Sequence, residues 1–231
     1  MATIGSPSGM ILVLGVTGVG KSTFICSAAR NGTGKLPERN PNMNSSTASV
    51  EAYKVSDGAT TVLLVDTPGF NDTKKLDQEV LKEIITFLRE RNGGYPVLGV
   101  IYLLDITDQQ YKAVNVGNLH PTLSVELVTV TSRIDTAANL EEKKKELKKQ
   151  YPSLTQTNHF GSDSKDQYET AWKIIREVVK CGKRTQVQTA IHSLENTLQV
   201  RARKSLLASF FKKLFRFKSQ SFLSPLNELQ D

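Results

Sequence analysis

Eight residues near the start of the chain, Gly15-Val16-Thr17-Gly18-Val19-Gly20-Lys21-Ser22, fill every slot of the pattern G-x-x-x-x-G-K-[ST]. The segment before them, Met10-Ile11-Leu12-Val13-Leu14, is an apolar run of strand length. Thr23 to Arg30 reads as a helix rich in Ala, Phe and Ile. Strand, glycine loop and helix in that order build a cradle for a polyphosphate. Glycines let consecutive backbone N–H groups turn inward, and the helix aims its N-terminal partial charge at the same anion. Gly15, Thr17, Gly18, Val19, Gly20, Lys21, Ser22 and Thr23 are therefore the expected nucleotide contacts. Lys21 would reach the β- and γ-phosphates, and the Ser22 hydroxyl would ligate Mg²⁺.

A chain of 231 residues suits one α/β domain plus an appendage. No stretch approaches the roughly 18 continuous apolar residues of a membrane span. Met1 to Gly9 lacks the basic and apolar blocks of a secretory leader. Two cysteines, Cys26 and Cys181, make no disulfide framework, and a reducing, cytoplasmic location is the expectation. Positive charge is concentrated late in the chain. Residues 196–227 hold seven Lys or Arg and no acid, whereas residues 1–195 are nearly balanced. The basic pI thus describes the tail and does not argue for nucleic acid as a partner.

Further along, Val50 to Val55 alternates apolar and polar positions, the Asp57-Gly58 pair signals a tight turn, and Thr61 to Val65 reads as the partner strand. These two segments predict an antiparallel hairpin at a sheet edge. Leu76, Val80, Ile84, Phe87 and Leu88 recur at helical spacing, with Asn92-Gly93-Gly94 as the stop. Val97 to Leu104 and Val125 to Val130 read as buried strands, and Leu140 to Gln150 as a charged, exposed helix. Trp172, Ile175, Val178 and Val179 mark one face of a helix covering the sheet. Strands alternating with helices after an initial hairpin predict a three-layer α/β fold, its sheet mostly parallel with one antiparallel edge strand. The interval 106–124 leaves room for only a short helix, ended by Asn118 to Pro121.

Asp66-Thr67-Pro68-Gly69 follows the strand 62–65 directly. An Asp at such a strand end holds the hydration shell of Mg²⁺ in nucleotide hydrolases of this architecture. Gly69, lacking a Cβ, would let its backbone N–H approach the γ-phosphate. The polar stretch Asn31 to Ser49 has the composition of a functional loop. Within it Thr47 is the expected sensor of Mg²⁺ and γ-phosphate, with Ser45 or Ser46 as alternatives. Lys21, Thr47 and Gly69 are the candidate catalytic residues, and Ser22, Thr47 and Asp66 the candidate metal set. Ser132-Arg133-Ile134-Asp135 stands where guanine-specific proteins carry [NT]-K-x-D. Asp135 would accept hydrogen bonds from guanine N1–H and its exocyclic amine, while the Arg133 stem packs on the base. His159-Phe160-Gly161 is a candidate for the remaining loop over the base.

With these residues placed, the chain resembles septin-like and immunity-associated (IMAP/GIMAP-type) P-loop GTPases, nearest to fungal G-domain proteins of that group. The carrying features are G-V-T-G-V-G-K-S-T-F-I at 15–25, S-x-T-x-x-V at 45–50 and V-D-T-P-G-F at 65–70. Weaker ones are the strand at 99–103 and the helix around Ala171-Trp172-Lys173. The resemblance implies a GTPase (G) domain binding GTP or GDP with Mg²⁺, two switch loops, and self-association across the nucleotide face in the GTP state. The interval 106–124 and the base motif depart from the family's pattern.

Phe70 stands where many GTPases place a water-orienting Gln, so slow hydrolysis stimulated by dimerisation or a partner is expected. The domain boundaries read as 9–182 for the G domain, 183–220 for a helical basic extension and 221–231 for a disordered tail. In the extension Leu206, Leu207, Phe210, Phe211, Leu214 and Phe217 form one helical stripe, with Lys204, Lys212, Lys213 and Arg216 elsewhere on the turn. Residues 198–218 could lie on an anionic membrane surface, making the protein peripheral, or pack on protein. Val187 to Val200 could equally start a coiled coil. Two functions compete: a GTP-binding molecular switch with slow Mg²⁺-dependent hydrolysis, and an inactive nucleotide-binding scaffold.

Overall fold

The computed structural model describes residues 5–30, 36–37, 49–70, 76–90, 94–107, 126–132, 139–150, 157–161, 167–182 and 185–201. Its strands are β1 (Met10–Gly15), β2 (Glu51–Ser56), β3 (Thr61–Asp66), β4 (Val97–Asp105), β5 (Glu126–Ser132) and β6 (Thr157–His159). Its helices are α1 (Lys21–Ala28), α2 (Asp77–Glu90), α3 (Leu140–Gln150), α4 (Gln167–Cys181) and α5 (Val187–Arg201). Ser45, Ser46, Thr47, Arg133, Asp135, nearly all of the interval 106–124, and the basic stripe beyond Arg201 lie outside the described residues.

One sheet runs in the order β2-β3-β1-β4-β5-β6. Among the described strands only β2 is antiparallel to its neighbour, pairing Glu51 with Asp66 at one end and Ser56 with Thr61 at the other. This is the expected edge hairpin. Its turn is locked by Asp57, whose Oδ1 accepts hydrogen bonds from the N–H groups of Ala59 and Thr60 at 3.0 and 2.6 Å. Arg176 on α4 reaches the same carboxylate at 2.8 Å. Burial works against ionisation of Asp57, but the hydrogen bonds from Thr60, Arg176 and Ala59 together outweigh it and hold the carboxyl below its ordinary range.

Period-two alternation along β1 divides the interior into two layers. Met10, Leu12 and Leu14 face a core completed by Val80, Leu81, Ile84, Ile85 and Leu88 of α2. Ile11 and Val13 face the opposite core, built with Phe24 and Ile25 of α1 and Trp172, Ile175 and Val178 of α4. Helices on both faces of a mostly parallel sheet give the three-layer architecture expected from the sequence.

Four details depart from expectation. Helix α1 starts at Lys21, two residues before Thr23, because Gly20 already supplies the helical hydrogen-bond acceptor for Phe24 N–H at 2.9 Å. Leu76, read as part of the α2 stripe, is exposed. It precedes the first turn, where its N–H donates to the Glu79 carboxylate and its carbonyl accepts from the N–H of Val80, so its side chain lies off the buried face. The short strand β6 carries no signal in the sequence pattern. Finally, Val187–Arg201 forms a helix whose first half packs on this unit, the docked alternative for that stretch. Val97 and Thr185 exchange two backbone hydrogen bonds of 3.0 Å, and Val187, Ala190, Ile191 and Leu194 of α5 bury against the α2 face of the core. An ion pair between Arg89 and Glu195 joins the two helices at the surface.

Candidate functional site

Because β1 and β3 are parallel neighbours, the loops that leave them emerge at the same, carboxyl, edge of the sheet. Open α/β sheets bind ligands at that edge. The topology therefore brings together two motifs that lie far apart in sequence.

The glycine loop has the backbone of an anion cup. Gly15, Gly18 and Gly20 take φ values of 148°, 77° and 100°. At Gly15 the need for glycine is also steric: a Cβ there would meet Leu103 O at 2.6 Å and Val19 Cγ1 at 2.8 Å. Val19 itself is buried in the α1-side core and anchors the loop from below. Helix α1 opens on Gly20 with no side-chain cap and no acid in its first turn. The partial positive charge of its N-terminus is thus directed at the glycine loop. Thr23 lies in that turn, and its carbonyl accepts from Ser27 Oγ at 2.9 Å.

Lys21 is 6% exposed. Its Nζ curls back over the loop and donates to Gly15 O at 3.2 Å and Val16 O at 3.1 Å. A buried ammonium held on carbonyls of the glycine loop is charge stored where a polyphosphate would sit.

Ser22 Oγ donates to Asp66 Oδ2 at 2.8 Å. Asp66, the last residue of β3, is 1% exposed. A hydroxyl and a carboxylate that converge in this way are hard oxygen donors of the kind Mg²⁺ selects. The donor set fits that ion.

The segment after Asp66 is fastened to the glycine loop. Thr67 Oγ1 donates to Val13 O at 2.8 Å. Thr17 N–H donates to Phe70 O, and Phe70 N–H to Gly15 O, each at 3.1 Å. Gly69 lies against the loop so closely that a Cβ would come within 2.2 Å of Thr17 Oγ1 and 2.4 Å of Thr17 Cα and N. Its small size is therefore demanded by Thr17, whatever its N–H does toward a phosphate. The Phe70 ring is buried in the α2-side core.

On β2, Glu51 stands across from Asp66, and Tyr53 Oη donates to Glu51 Oε2 at 2.8 Å. Burial, and then the Glu51 carboxylate, push the Tyr53 phenol well above its usual range, so it remains a donor. No sequence motif marks this pair. The register that produces it was available from the Asp57-Gly58 turn, since pairing Ser56 with Thr61 sets Glu51 against Asp66.

The candidate base loop, His159-Phe160-Gly161, starts at the last residue of β6 and precedes α4. Phe160 is buried edge-on to Phe24, with ring centroids 5.2 Å apart, and its N–H donates to Thr131 O at 2.8 Å. It is a core residue because β6 pairs with β5 and carries it inward. His159 Nδ1 bonds Thr131 Oγ1. Burial, followed by the Lys144 ammonium, lowers the pKa of its imidazole. Gly161 O accepts from Gln167 Nε2 at 3.2 Å, and Gln167 Oε1 accepts from Ser27 Oγ at 3.0 Å, so this loop is tied to α1.

The same architecture occurs in solved nucleotide-binding proteins. A probable GTP-binding protein, engB, aligns with a TM-score of 0.51 at 17% identity, over 74% of this chain and 98% of its own. The chloroplast translocon components atToc33 and psToc159, described by a dimerisation important for GTPase activity, align at 0.56 and 13% identity, over 78% and 86%. A point variant of Era from Aquifex aeolicus, bound to GDP and AlF4−, aligns at 0.54 and 18% identity, over 75% of this chain and 56% of its own. At these identities the likeness establishes the fold, that of P-loop GTPases. No curated protein matches the chain by sequence. Residues 9–119, the stretch holding the glycine loop, the β2-β3 hairpin and the Asp66 loop, match the AIG1 family.

Proposed function

We propose that this chain is a guanine-nucleotide switch that binds GTP and GDP with Mg²⁺ and hydrolyses GTP slowly when alone. The observation that carries the reading is the meeting of Ser22 Oγ and Asp66 Oδ2 at 2.8 Å beside the buried Lys21. In that reading Gly15, Thr17, Gly18, Val19, Gly20, Lys21, Ser22 and Thr23 line the phosphate site, and the Lys21 ammonium turns to the β- and γ-oxygens. Ser22, Asp66 and Thr47 would hold the cation, which would neutralise charge on the β- and γ-phosphates. Gly69 N–H and Thr47 sense the γ-phosphate, and Asp135 with Arg133 reads the guanine.

Slow turnover is supported by Phe70. Its ring is buried in the core, and a phenyl group can neither accept a proton nor orient a water. Stimulation by self-association through the nucleotide face is consistent with the dimerisation named for the translocon proteins. A second reading rests on the same residue: with Phe70 in that place, the chain could bind nucleotide as a scaffold without turnover. No described helix is long and apolar enough to cross a membrane. A cytoplasmic protein with peripheral attachment through 198–218 to anionic lipid is the proposed setting, and kinship with septin-like and fungal G-domain proteins the proposed lineage.

The test is calorimetric titration of the full chain with GTP, GDP and ATP in Mg²⁺, repeated with Lys21→Ala. Binding of GTP and GDP, weak or no binding of ATP, and loss in the variant support the reading. Equal affinity for ATP removes the guanine assignment, and no saturable binding removes the function. Single-turnover hydrolysis by dilute monomer should stay below about 1 s⁻¹ and rise with protein concentration. Full binding with no hydrolysis at any concentration selects the scaffold.

A further inference from the structure

The pairing of β2 with β3 puts a second carboxylate next to Asp66. Glu51 and Asp66 are directly opposed in the antiparallel register. Alternation sends both side chains to the face that carries α1, since Tyr53 and Val55 on β2 and Val62 and Leu64 on β3 line that core. Ser22 meets Asp66 on the same face. Opposed residues in an antiparallel pair hold their Cβ atoms about 4.5–5.5 Å apart, and like charges in that relation destabilise the sheet.

Glu51 is not left to swing away from this neighbour. Tyr53, two residues on and on the same side of the strand, donates its hydroxyl to Glu51 Oε2 at 2.8 Å. The Tyr53 side chain is itself buried, so it is a fixed post for the carboxylate. Repulsion between Glu51 and Asp66 would fall with a divalent cation on the Ser22–Asp66 donors.

We propose that Glu51, held by Tyr53, is an electrostatic determinant of the cation site that makes nucleotide binding more dependent on Mg²⁺. The inference rests on the cation-assisted nucleotide binding proposed above. It gives Glu51 opposite effects in the two conditions. Without cation the carboxylate opposes the phosphates; with cation it favours the complex.

The experiment measures GDP affinity of the full chain by calorimetry in EDTA and in saturating Mg²⁺, and takes the ratio as the cation enhancement. For Glu51→Gln, affinity in EDTA should equal or exceed that of the parent. The enhancement should fall by about three- to tenfold, the scale of one charge acting across a partly solvated gap. Tyr53→Phe, which keeps the ring and removes this hydrogen bond to the carboxylate, should lower the enhancement by about two- to threefold. General structural damage would weaken binding in both conditions alike and leave the ratio unchanged, which overturns the proposal. Should Glu51→Gln fail to fold, Tyr53→Phe carries the same test. Ser22→Ala and Asp66→Asn separate this inference from the reading beneath it. If they lower the ratio while Glu51→Gln and Tyr53→Phe do not, the role of Glu51 alone is rejected. If none of the four changes it, the cation site and the role of Glu51 fall together.

Discussion

Ser22 Oγ and Asp66 Oδ2 share a 2.8 Å hydrogen bond between residues 44 positions apart in sequence. It exists because α1 begins immediately after the glycine loop and β3 ends immediately before the Asp66 loop, on parallel neighbouring strands. Each partner alone is an ordinary polar residue. Together they are an oxygen pair suited to one hard cation. Asp66→Asn keeps the shape and a hydrogen-bond acceptor but removes the charge. GDP affinity in Mg²⁺ should fall by about tenfold or more, the effect of losing a charge-assisted contact, with little change in EDTA. Titrations of parent and variant in the two conditions check it.

Gly69 is held against Thr17 by backbone atoms as well as by a side chain. Gly69→Ala would drive a methyl group to within 2.4 Å of Thr17 Cα and N, and neither atom can move without shifting the glycine loop. Overpacking of this kind costs about 1–3 kcal/mol. Urea denaturation should show that loss, and nucleotide affinity should fall with it. Thr17→Ala in the same chain removes only the Oγ1 clash, so the double variant should not recover parental stability.

Trp172 ties α4 to the end of α1. Its Nε1 donates to Ala28 O at 3.0 Å, one of the carbonyls a helix C-terminus leaves without an intrahelical partner. Trp172→Phe removes the donor and strands a buried acceptor, at a cost of about 1–3 kcal/mol. Trp172 is the chain's one tryptophan, so the variant's unfolding must be followed by far-ultraviolet circular dichroism. A denaturation midpoint equal to the parent's would show that another group satisfies Ala28.

Most of the frame was legible because it follows from local rules. The glycine loop announced its strand and helix, the Asp57-Gly58 turn fixed the hairpin, and alternation along β1 and helical spacing in α2 and α4 marked the buried faces. What escaped depended on partners distant in sequence. Three residues, Thr157–His159, carry too little pattern to signal a strand; pairing with β5 makes them one. Phe160, just past that strand, is turned by the pairing onto Phe24. The apolar positions of α5 gave a stripe but no address, and only the Val97–Thr185 bridge brings them onto α2. Within the site, Lys21, Ser22 and Asp66 were readable from motif chemistry. The clamp of Thr67 on Val13 was not, because it depends on which strands lie side by side.

His159 should make stability depend on pH on the acid side. Burial, and then the nearby Lys144 ammonium, depress its folded-state pKa below the ordinary histidine value, while the Glu141 carboxylate partly opposes them. The unfolded chain therefore takes up the proton first as pH falls. Above the unfolded pKa of about 6.5 the imidazole is neutral in both states and contributes no difference. Below it the unfolded state binds more protons, and the fold loses stability until pH passes the folded pKa. The urea midpoint of the parent should decline as pH is lowered from neutrality through that value. In His159→Gln, which keeps a polar partner for Thr131 but has no titrating ring, that decline should be smaller. Parallel midpoint curves for the two proteins across this range would show that His159 titrates alike in folded and unfolded chains.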